Sequence, residues 1–180
     1  MENASEAKPR VELEIGQGES SWGKLVFELD EQRAPETTRN FLRYVGEGFY
    51  QDTVFHRVIP TFMIQGGGYA ADLTEKDAGL HKPVVNEAAQ GLSNERGTIA
   101  MARTSDPHSA TSQFFINVKD NAFLDHPGQD GWGYCAFGRV VEGLELLDRI
   151  KDVETQPNPD MGGEGSQPVE PPVIKAVRRL

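Results

Sequence analysis

The sequence predicts a mainly β protein, either a barrel or a sandwich, formed by one chain of 180 residues. Apolar and polar residues alternate in many short segments, which is the period of a strand with one buried face. Only two segments have helical spacing, and the order of elements is not the alternating one of a doubly wound sheet. A chain of this length buries roughly 70% of its unfolded surface, which is enough for one core.

The residue pattern of the N-terminal part predicts a polar tail followed by a β-hairpin. Residues 1–8 are polar and are expected to form a flexible tail, so that residues 9–180 make up a single domain. Apolar residues alternate with charged ones at 11–15, and alternation returns at 25–29. The Gly/Ser-rich segment 16–23 between them predicts the turn of the hairpin.

Two helices are predicted. Pro35 suits the first helical position, and the helix dipole favours an acid such as Glu36 in the first turn. Apolar residues at 41–45 form a helical stripe that Gly46 can end. A second, shorter stripe falls at 144–150.

The other strands follow from β-branched and aromatic runs. They are predicted at 53–59, 98–103, 114–118, 134–141 and 173–177. Gly66-Gly67-Gly68 is expected to break the chain in a turn. The polar stretch 70–95 is irregular and too long for a plain connection, which is typical of a functional segment or of one with short strands of its own. The five prolines and three glycines of 154–172 argue against regular structure there.

Charge and hydropathy exclude several classes of partner. The net charge is -10, from 28 acidic and 18 basic residues, which disfavours nucleic acid because such binding neutralises phosphates with Lys and Arg. No apolar run approaches the ~18 residues of a membrane span. The first residues lack the basic and hydrophobic regions of a secretory signal, so a cytoplasmic protein is expected. Cys135 is the one cysteine; no disulfide can form within the chain, and a buried, inert thiol is expected.

Motifs for metal, phosphate and hydrolytic chemistry are missing. The glycine triplet lacks the Lys-Ser/Thr of a phosphate loop, and no G-x-S-x-G is present. The four histidines are not at metal-binding spacing, so neither a metal nor a cofactor is expected. His56 precedes Arg57 on a strand, where alternation predicts that it points to the opposite face and is a hydrogen-bonded structural residue.

Arg57 is the most informative residue, because it lies within an apolar, β-branched run. A buried guanidinium without a partner is costly, so Arg57 must be paired or must face a cleft. Apolar and amide side chains accompany it in the sequence: Phe62, Met63, Phe115, Gln65 and Gln113. An arginine over an apolar pocket with amide groups suits a peptide substrate. The alternative interpretation is a strand arginine paired with a surface carboxylate and aromatic residues that belong to the core.

Four ordered segments together resemble the cyclophilins, a family of peptidyl-prolyl cis–trans isomerases. They are Phe55-His56-Arg57 through Gln65-Gly66-Gly67, Gly97 through Arg103, Ser112-Gln113-Phe114-Phe115-Ile116, and Phe123-Leu124-Asp125. The resemblance covers nearly the whole chain. It implies a closed antiparallel barrel of eight strands capped by two helices, and an enzyme that accelerates rotation about X–Pro bonds and assists protein folding.

The resemblance also implies roles for individual residues. Arg57 would be the catalytic arginine. The proline pocket would be lined by Phe62, Met63, Phe115 and Leu124, and the peptide backbone would be contacted by Gln65, Ala102 and Gln113. Alternation places Phe114 and Phe115 on opposite faces, so one is expected in the core and the other in the pocket.

Three positions differ from the familiar eukaryotic pattern and look like bacterial cyclophilins. Phe123 replaces a tryptophan, Tyr134 a histidine and Arg103 an asparagine; all three are expected near the substrate. The family's cyclosporin site uses the indole N–H of that tryptophan, so weak cyclosporin binding is expected here. The expected partners are proline-containing peptides and folding proteins, and the expected state is a monomer.

Three other functions remain open from the sequence. A proline-binding module without turnover would use the same pocket, although it would not need Arg57. A folding chaperone with incidental isomerase activity has the same sequence features. An acidic structural protein would have no affinity for peptides.

Overall fold

The computed structural model describes residues 7–180 and shows a closed barrel of eight antiparallel strands. The strands of the barrel are β1 Arg10–Gln17, β2 Ser20–Leu29, β3 Thr53–Ile59, β4 Met63–Ala70, β5 Thr98–Met101, β6 Phe114–Asn117, β7 Ala136–Glu142 and β10 Val173–Arg179. Two further strands, β8 Thr155–Asn158 and β9 Glu164–Pro168, lie outside the barrel. The order around the barrel is β1, β10, β3, β4, β6, β5, β7 and β2. The mainly β fold and the closed barrel are therefore confirmed.

Two helices pack against the barrel and complete its core. Helix α1, Pro35–Gly46, begins with Pro35 and has Glu36 in its first turn, as its sequence predicts. Helix α2 spans Leu144–Lys151. Both helices bury their apolar stripes in the same cluster that fills the barrel, through Phe41, Tyr44, Val45, Leu146, Leu147 and Ile150.

The expected turn at Gly66-Gly67-Gly68 is wrong, because these glycines lie inside β4. A Cβ at Gly66 would come 2.9 Å from the ring of Phe55, and one at Gly67 would come 2.8 Å from the ring of Phe114. Glycine therefore lets β4 lie close to the aromatic core. Sequence patterns therefore missed β4, which completes the set of eight strands in the barrel.

The expectation of no regular structure at 154–172 is also wrong. A two-stranded sheet forms there from β8, Thr155–Asn158, and β9, Glu164–Pro168, joined by a short 3₁₀ turn at Pro159–Met161. Proline is tolerated in this sheet because its two strands are both edges. Strand β9 packs against β3 of the barrel.

The extents of several elements differ from those predicted. Strand β1 continues to Gln17 and β2 begins at Ser20, so the predicted turn at 16–23 is much shorter. Strand β5 ends at Met101, two residues earlier than expected. The stretch 70–95 is irregular apart from isolated β-bridges.

The predicted tail is described only in part, because residues 1–6 lie outside the described range. Lys8 donates a hydrogen bond to the Asp30 carboxylate at 3.3 Å. Among residues 7–180, no helix has the length and apolar character to cross a bilayer.

Candidate active site

A cavity of about 740 Å³ brings together all the residues that the sequence singles out for substrate contact. They come from β3, the turn between β3 and β4, β4, β6 and the loops after β5 and β6. These residues are Arg57, Phe62, Met63, Gln65, Ala102, Arg103, Gln113, Phe115, Phe123, Leu124 and Tyr134. The barrel thus assembles side chains that are up to 77 positions apart in the sequence (from 57 to 134).

A β-bulge brings both His56 and Arg57 to this cavity. Phe55 pairs with Gly66 and Arg57 pairs with Gln65, so β3 advances two residues while β4 advances one. The extra residue breaks the alternation of the strand. The predicted orientation of His56, away from Arg57, is therefore wrong, since both residues line the cavity.

His56 is also not the hydrogen-bonded residue that was expected. Its Nδ1 is buried without a hydrogen-bond partner among residues 7–180, and its ring lies against Tyr69 with centroids 4.2 Å apart. Burial, together with the positive charge of Arg57, lowers the pKa of His56 to about 4. A neutral imidazole therefore lies beside the guanidinium at neutral pH.

The Arg57 guanidinium is both paired and open to the cavity. Its Nε donates to Oε1 of Glu164 at 2.8 Å, and its Nη2 donates to Oε2 of the same carboxylate at 3.1 Å. Its Nη1 donates to Oε1 of Gln65 at 3.3 Å. The side chain of Arg57 is 22% exposed, so the two alternatives for this arginine, a carboxylate partner and a cleft, are both realised.

The two glutamines extend this network across β4 and β6. Nε2 of Gln65 donates to Oε1 of Gln113 at 2.9 Å. The backbone carbonyl of Gln113 accepts from the N–H of Ala102 at 3.1 Å, which joins the two ends of the loop between β5 and β6. The amides of both side chains thus have fixed orientations at the cavity wall.

Apolar side chains that line the cavity belong to a second, smaller cluster, separate from the cluster of the barrel core. Its buried members include Met63, Phe115 and Leu124, and Phe62 and Tyr134 pack against it. The Phe115 and Tyr134 rings meet edge to face with centroids 5.7 Å apart. Phe114 belongs to the barrel core, so the two neighbouring rings face opposite sides of β6, as strand alternation predicts.

A buried polar network fixes the turn that carries Phe62. Nδ2 of Asn121 donates to the Phe62 carbonyl and to Oδ1 of Asn117, each at 2.9 Å. Asn117 donates to Oδ1 of Asn94, and Asn94 donates to the Asp125 carboxylate. Partial burial raises the pKa of Asp125, but the hydrogen bonds from Ser93 and Asn94 together hold it below its usual value.

Arg103 lines the cavity, and its guanidinium is hydrogen-bonded within the protein. It is 3% exposed, and its Nη2 donates to the Asp130 carboxylate at 2.7 Å and to the Gly133 carbonyl at 2.8 Å. The guanidinium also lies 4.3 Å from the ring centroid of Tyr134. Hydrogen bonds from Gly133, Arg103 and Trp132 hold the pKa of Asp130 well below its usual range. These contacts fix the segment 128–133, part of which lines the cavity.

Sequence patterns do not predict one group of residues that lines the cavity. It includes Tyr69 of β4, Leu73 in the loop that follows, and Asn158, Asp160, Met161 and Gln167 from the β8–β9 sheet and its turn. Glu164, the partner of Arg57, is 107 positions away from it in the sequence. No local pattern signals a contact over that separation, and the prolines of this segment argue against its sheet.

The cavity has the features of a binding site without those of a metal or thiol centre. Among the described residues 7–180, no three His, Cys, Asp or Glu side chains are grouped as metal ligands. Cys135 is buried and hydrogen-bonds with the Thr37 hydroxyl at 3.6 Å. Burial raises the pKa of the Cys135 thiol to about 11. The chemistry available at the cavity is hydrogen bonding, charge and apolar contact.

Comparison with known proteins identifies the family to which this fold and site belong. The family model for cyclophilin type peptidyl-prolyl cis-trans isomerases matches residues 10–179. The chain is 52% identical to peptidyl-prolyl cis-trans isomerase cyp18 of Streptomyces antibioticus, over 89% of this chain and 95% of that protein. It is 54% identical to peptidyl-prolyl cis-trans isomerase B of Escherichia coli, over 74% and 81% of the two chains.

A solved structure agrees with these sequence relationships. The crystal structure of a cyclophilin type peptidyl-prolyl cis-trans isomerase from Cryptosporidium parvum superposes with a TM-score of 0.75 at 25% sequence identity. The match covers 96% of this chain and 98% of the other. This chain therefore belongs to the cyclophilin family and is a peptidyl-prolyl cis–trans isomerase that resembles the bacterial members.

Proposed function

We propose that Arg57 catalyses isomerisation by donating a hydrogen bond to the proline nitrogen when the X–Pro bond is twisted. Rotation about this bond breaks amide resonance, which gives a barrier of ~18–20 kcal/mol. In the twisted state the lone pair of the nitrogen is no longer delocalised, so the nitrogen becomes a hydrogen-bond acceptor. A donor aimed at it stabilises the transition state more than either planar ground state.

The geometry of Arg57 is the observation that carries this proposal. Its guanidinium borders the cavity, and hydrogen bonds to Glu164 and Gln65 engage Nε and one proton on each terminal nitrogen. A guanidinium has five N–H donors, so one remains on Nη1 and one on Nη2. Two charged donors of fixed direction are thus available to a peptide in the cavity.

The apolar cluster is proposed to hold the proline ring while the rest of the peptide turns. Met63, Phe115 and Leu124 supply buried walls, and Phe62 supplies one edge. Proline presents no N–H that such a wall would leave unpaired. Gln65 and Gln113, with the backbone beside Ala102, are proposed to orient the flanking peptide groups.

The expected rate acceleration is too large for Arg57 alone and requires the apolar cluster as well. An acceleration of ~10⁵ corresponds to about 7 kcal/mol of transition-state stabilisation. A charge-assisted hydrogen bond contributes ~1.5–3 kcal/mol, so Arg57 supplies less than half of it. The remainder is assigned to anchoring of the proline ring, which restricts the motion to rotation about one bond.

The proposed isomerase domain comprises residues 9–180 and acts on proline-containing segments of peptides and folding proteins. Every residue assigned above comes from one chain, so the proposal requires no second subunit. Cyclosporin is proposed to bind weakly, because Phe123 has no N–H to donate.

The test is catalysed cis–trans exchange on a short X–Pro peptide, measured by NMR for wild type and Arg57→Ala. The control is Arg39→Ala, which removes an exposed arginine of α1 that pairs with Glu36. The proposal requires Arg57→Ala to lose at least ~10²-fold with its fold intact, while Arg39→Ala keeps wild-type activity. If wild type binds the peptide without accelerating exchange, the site is a binding module and the mechanism is wrong.

A further inference from the structure

The carboxylate that holds Arg57 comes from outside the barrel. Glu164 is the first residue of β9, in the small sheet formed by 155–158 and 164–168. Strand β9 packs against β3, which carries Arg57. The small sheet thereby brings the Glu164 carboxylate to Arg57, the one residue assigned to catalysis, at the edge of the cavity.

The contact is bidentate and therefore fixes an orientation as well as a distance. The two Glu164 oxygens accept from Nε and Nη2 of Arg57, at 2.8 and 3.1 Å. Two parallel hydrogen bonds keep the guanidinium and the carboxylate nearly coplanar. Without them, the side-chain hydrogen bond that Arg57 keeps among residues 7–180 is the one of 3.3 Å from Nη1 to Gln65. A single bond at one nitrogen leaves the guanidinium free to rotate about it.

The pair is better suited to orientation than to stability. Arg57 and Glu164 are 22% and 32% exposed, and ion pairs of such exposure contribute little to the free energy of unfolding. The hydrogen bond from Arg57 lowers the pKa of Glu164, and partial burial opposes this less strongly. Glu164 is therefore ionised, and a bidentate acceptor, throughout the neutral range.

Whether Glu164 helps or blocks Arg57 depends on which N–H groups of the guanidinium it occupies. Glu164 occupies the Nε–Nη2 edge, and Gln65 takes one proton of Nη1. One donor on each terminal nitrogen stays available, so the pair does not block the guanidinium from substrate. The Glu164 carboxylate therefore holds the Nε–Nη2 edge of Arg57 and leaves one N–H on each terminal nitrogen for the substrate.

We propose that Glu164 is a positioning residue for Arg57, through which the β8–β9 sheet becomes part of the isomerase site. This inference rests on the proposed catalytic role of Arg57. Glu164 does not touch the reacting bond; it restricts the guanidinium to the orientation in which its free donors meet the proline nitrogen. Loss of this restraint lowers the turnover rate, because a correctly oriented donor is populated for a smaller fraction of the time.

The test compares Glu164→Gln and Glu164→Ala with wild type in the NMR exchange assay. Glu164→Gln keeps the shape and one acceptor oxygen, and is expected to lower kcat about threefold. Glu164→Ala removes both acceptors and is expected to lower kcat about tenfold, with KM changed less than twofold. The matched control is Glu154→Gln, which removes the same charge from an exposed residue immediately before β8 and is expected to leave kcat unchanged.

Two further measurements distinguish positioning from a purely structural role. The Arg57 Nε–H resonance is expected to be sharp in wild type and to broaden or shift upfield in Glu164→Ala. In an Arg57→Ala background, measured at raised enzyme concentration, Glu164→Ala is expected to change the exchange rate less than twofold. Thermal unfolding of each variant checks that the fold is retained.

The outcomes separate this inference from the proposal on which it rests. If Arg57→Ala keeps its activity, the proposed function fails. If Arg57→Ala loses activity while Glu164→Ala equals or exceeds wild type, only the positioning role of Glu164 is overturned. It is also overturned if Glu164→Ala causes the same loss with and without Arg57, since the effect would then be on the sheet itself.

Discussion

Gln65 donates its side-chain N–H to Oε1 of Gln113 at 2.9 Å, and this bond depends on a glycine beside it. A Cβ at Gly68 would come 2.4 Å from Cγ of Gln113 and 2.6 Å from its Cδ. Gly68 has no positive φ, so the need for glycine here is one of space and not of backbone conformation. The fixed orientation of both amides therefore follows from a missing side chain on β4.

Gly68→Ala is expected to lower kcat/KM by about threefold to tenfold. The added methyl displaces Gln113, which breaks its bond with Gln65 and removes an amide from the cavity wall; such a bond contributes roughly 1 kcal/mol. The exchange assay measures this effect. Gly46→Ala is the matched control, because a Cβ there meets nothing within 4 Å. Equal activity of the two variants would show that the amide pair is dispensable.

The stability of the protein is expected to fall in weakly acidic solution because of His56. Its pKa is about 4 in the folded protein and about 6.5 when unfolded, so the unfolded chain binds more protons between these values. The free energy of unfolding therefore decreases as the pH falls from 6.5 toward 4, by up to about 3 kcal/mol from this group.

Urea unfolding of wild type and His56→Gln between pH 7 and 4.5 measures this contribution. Glutamine does not titrate, so the variant is expected to show a smaller loss of stability with falling pH. The comparison of slopes removes the effect of carboxylates such as Asp125, whose lowered pKa acts in the same direction in both proteins. Parallel curves would contradict the burial of a neutral imidazole at this site.

The rate of isomerisation is expected to be independent of pH between about 6 and 9. The proposed mechanism transfers no proton, and an arginine keeps its charge over this range. His56 is the only histidine among the described residues that line the cavity, and its pKa of about 4 lies below the range. A bell-shaped profile of kcat/KM would indicate general acid–base catalysis and contradict the mechanism.

Cyclosporin is expected to bind more weakly than 100 nM, a limit of roughly -10 kcal/mol. Phe123 lines the cavity, is 51% exposed and stacks on Phe62 with ring centroids 5.7 Å apart. It offers the apolar surface of tryptophan without the indole donor. Phe123→Trp is expected to tighten binding about fivefold, the value of one net hydrogen bond. Calorimetric titration of both proteins measures the difference, and nanomolar affinity of the wild type would refute it.

Sequence patterns predict most of the barrel, and the resemblance to the cyclophilins groups the residues of the candidate site. Regular alternation predicts that Phe114 and Phe115 face opposite sides of β6, and the resemblance assigns Phe115 to the pocket; the structure agrees, because β6 contains no bulge. The same rule fails at His56 on β3, which is separated from β6 by β4, because a bulge adds a residue to β3. A bulge is set by pairing with the neighbouring strand, so the local sequence does not reveal it.

The other errors also arose where tertiary contacts override local propensity. The glycines of β4 read as a turn, although they are needed because aromatic rings lie against the strand. The proline-rich segment 154–172 read as irregular, although its two strands are edges that tolerate proline. For that reason Glu164, the partner of Arg57, could not be found from sequence patterns.

The most direct test of the central claim compares peptide affinity with exchange rate in Arg57→Ala. A donor used only in the twisted transition state contributes to rate and not to ground-state binding. We therefore expect the Kd for an X–Pro peptide to stay within about threefold of wild type while the catalysed exchange rate falls at least ~10²-fold, about 2.7 kcal/mol. If affinity and rate fall together by the same factor, Arg57 binds the planar peptide equally well, and selective stabilisation of the twisted bond is contradicted.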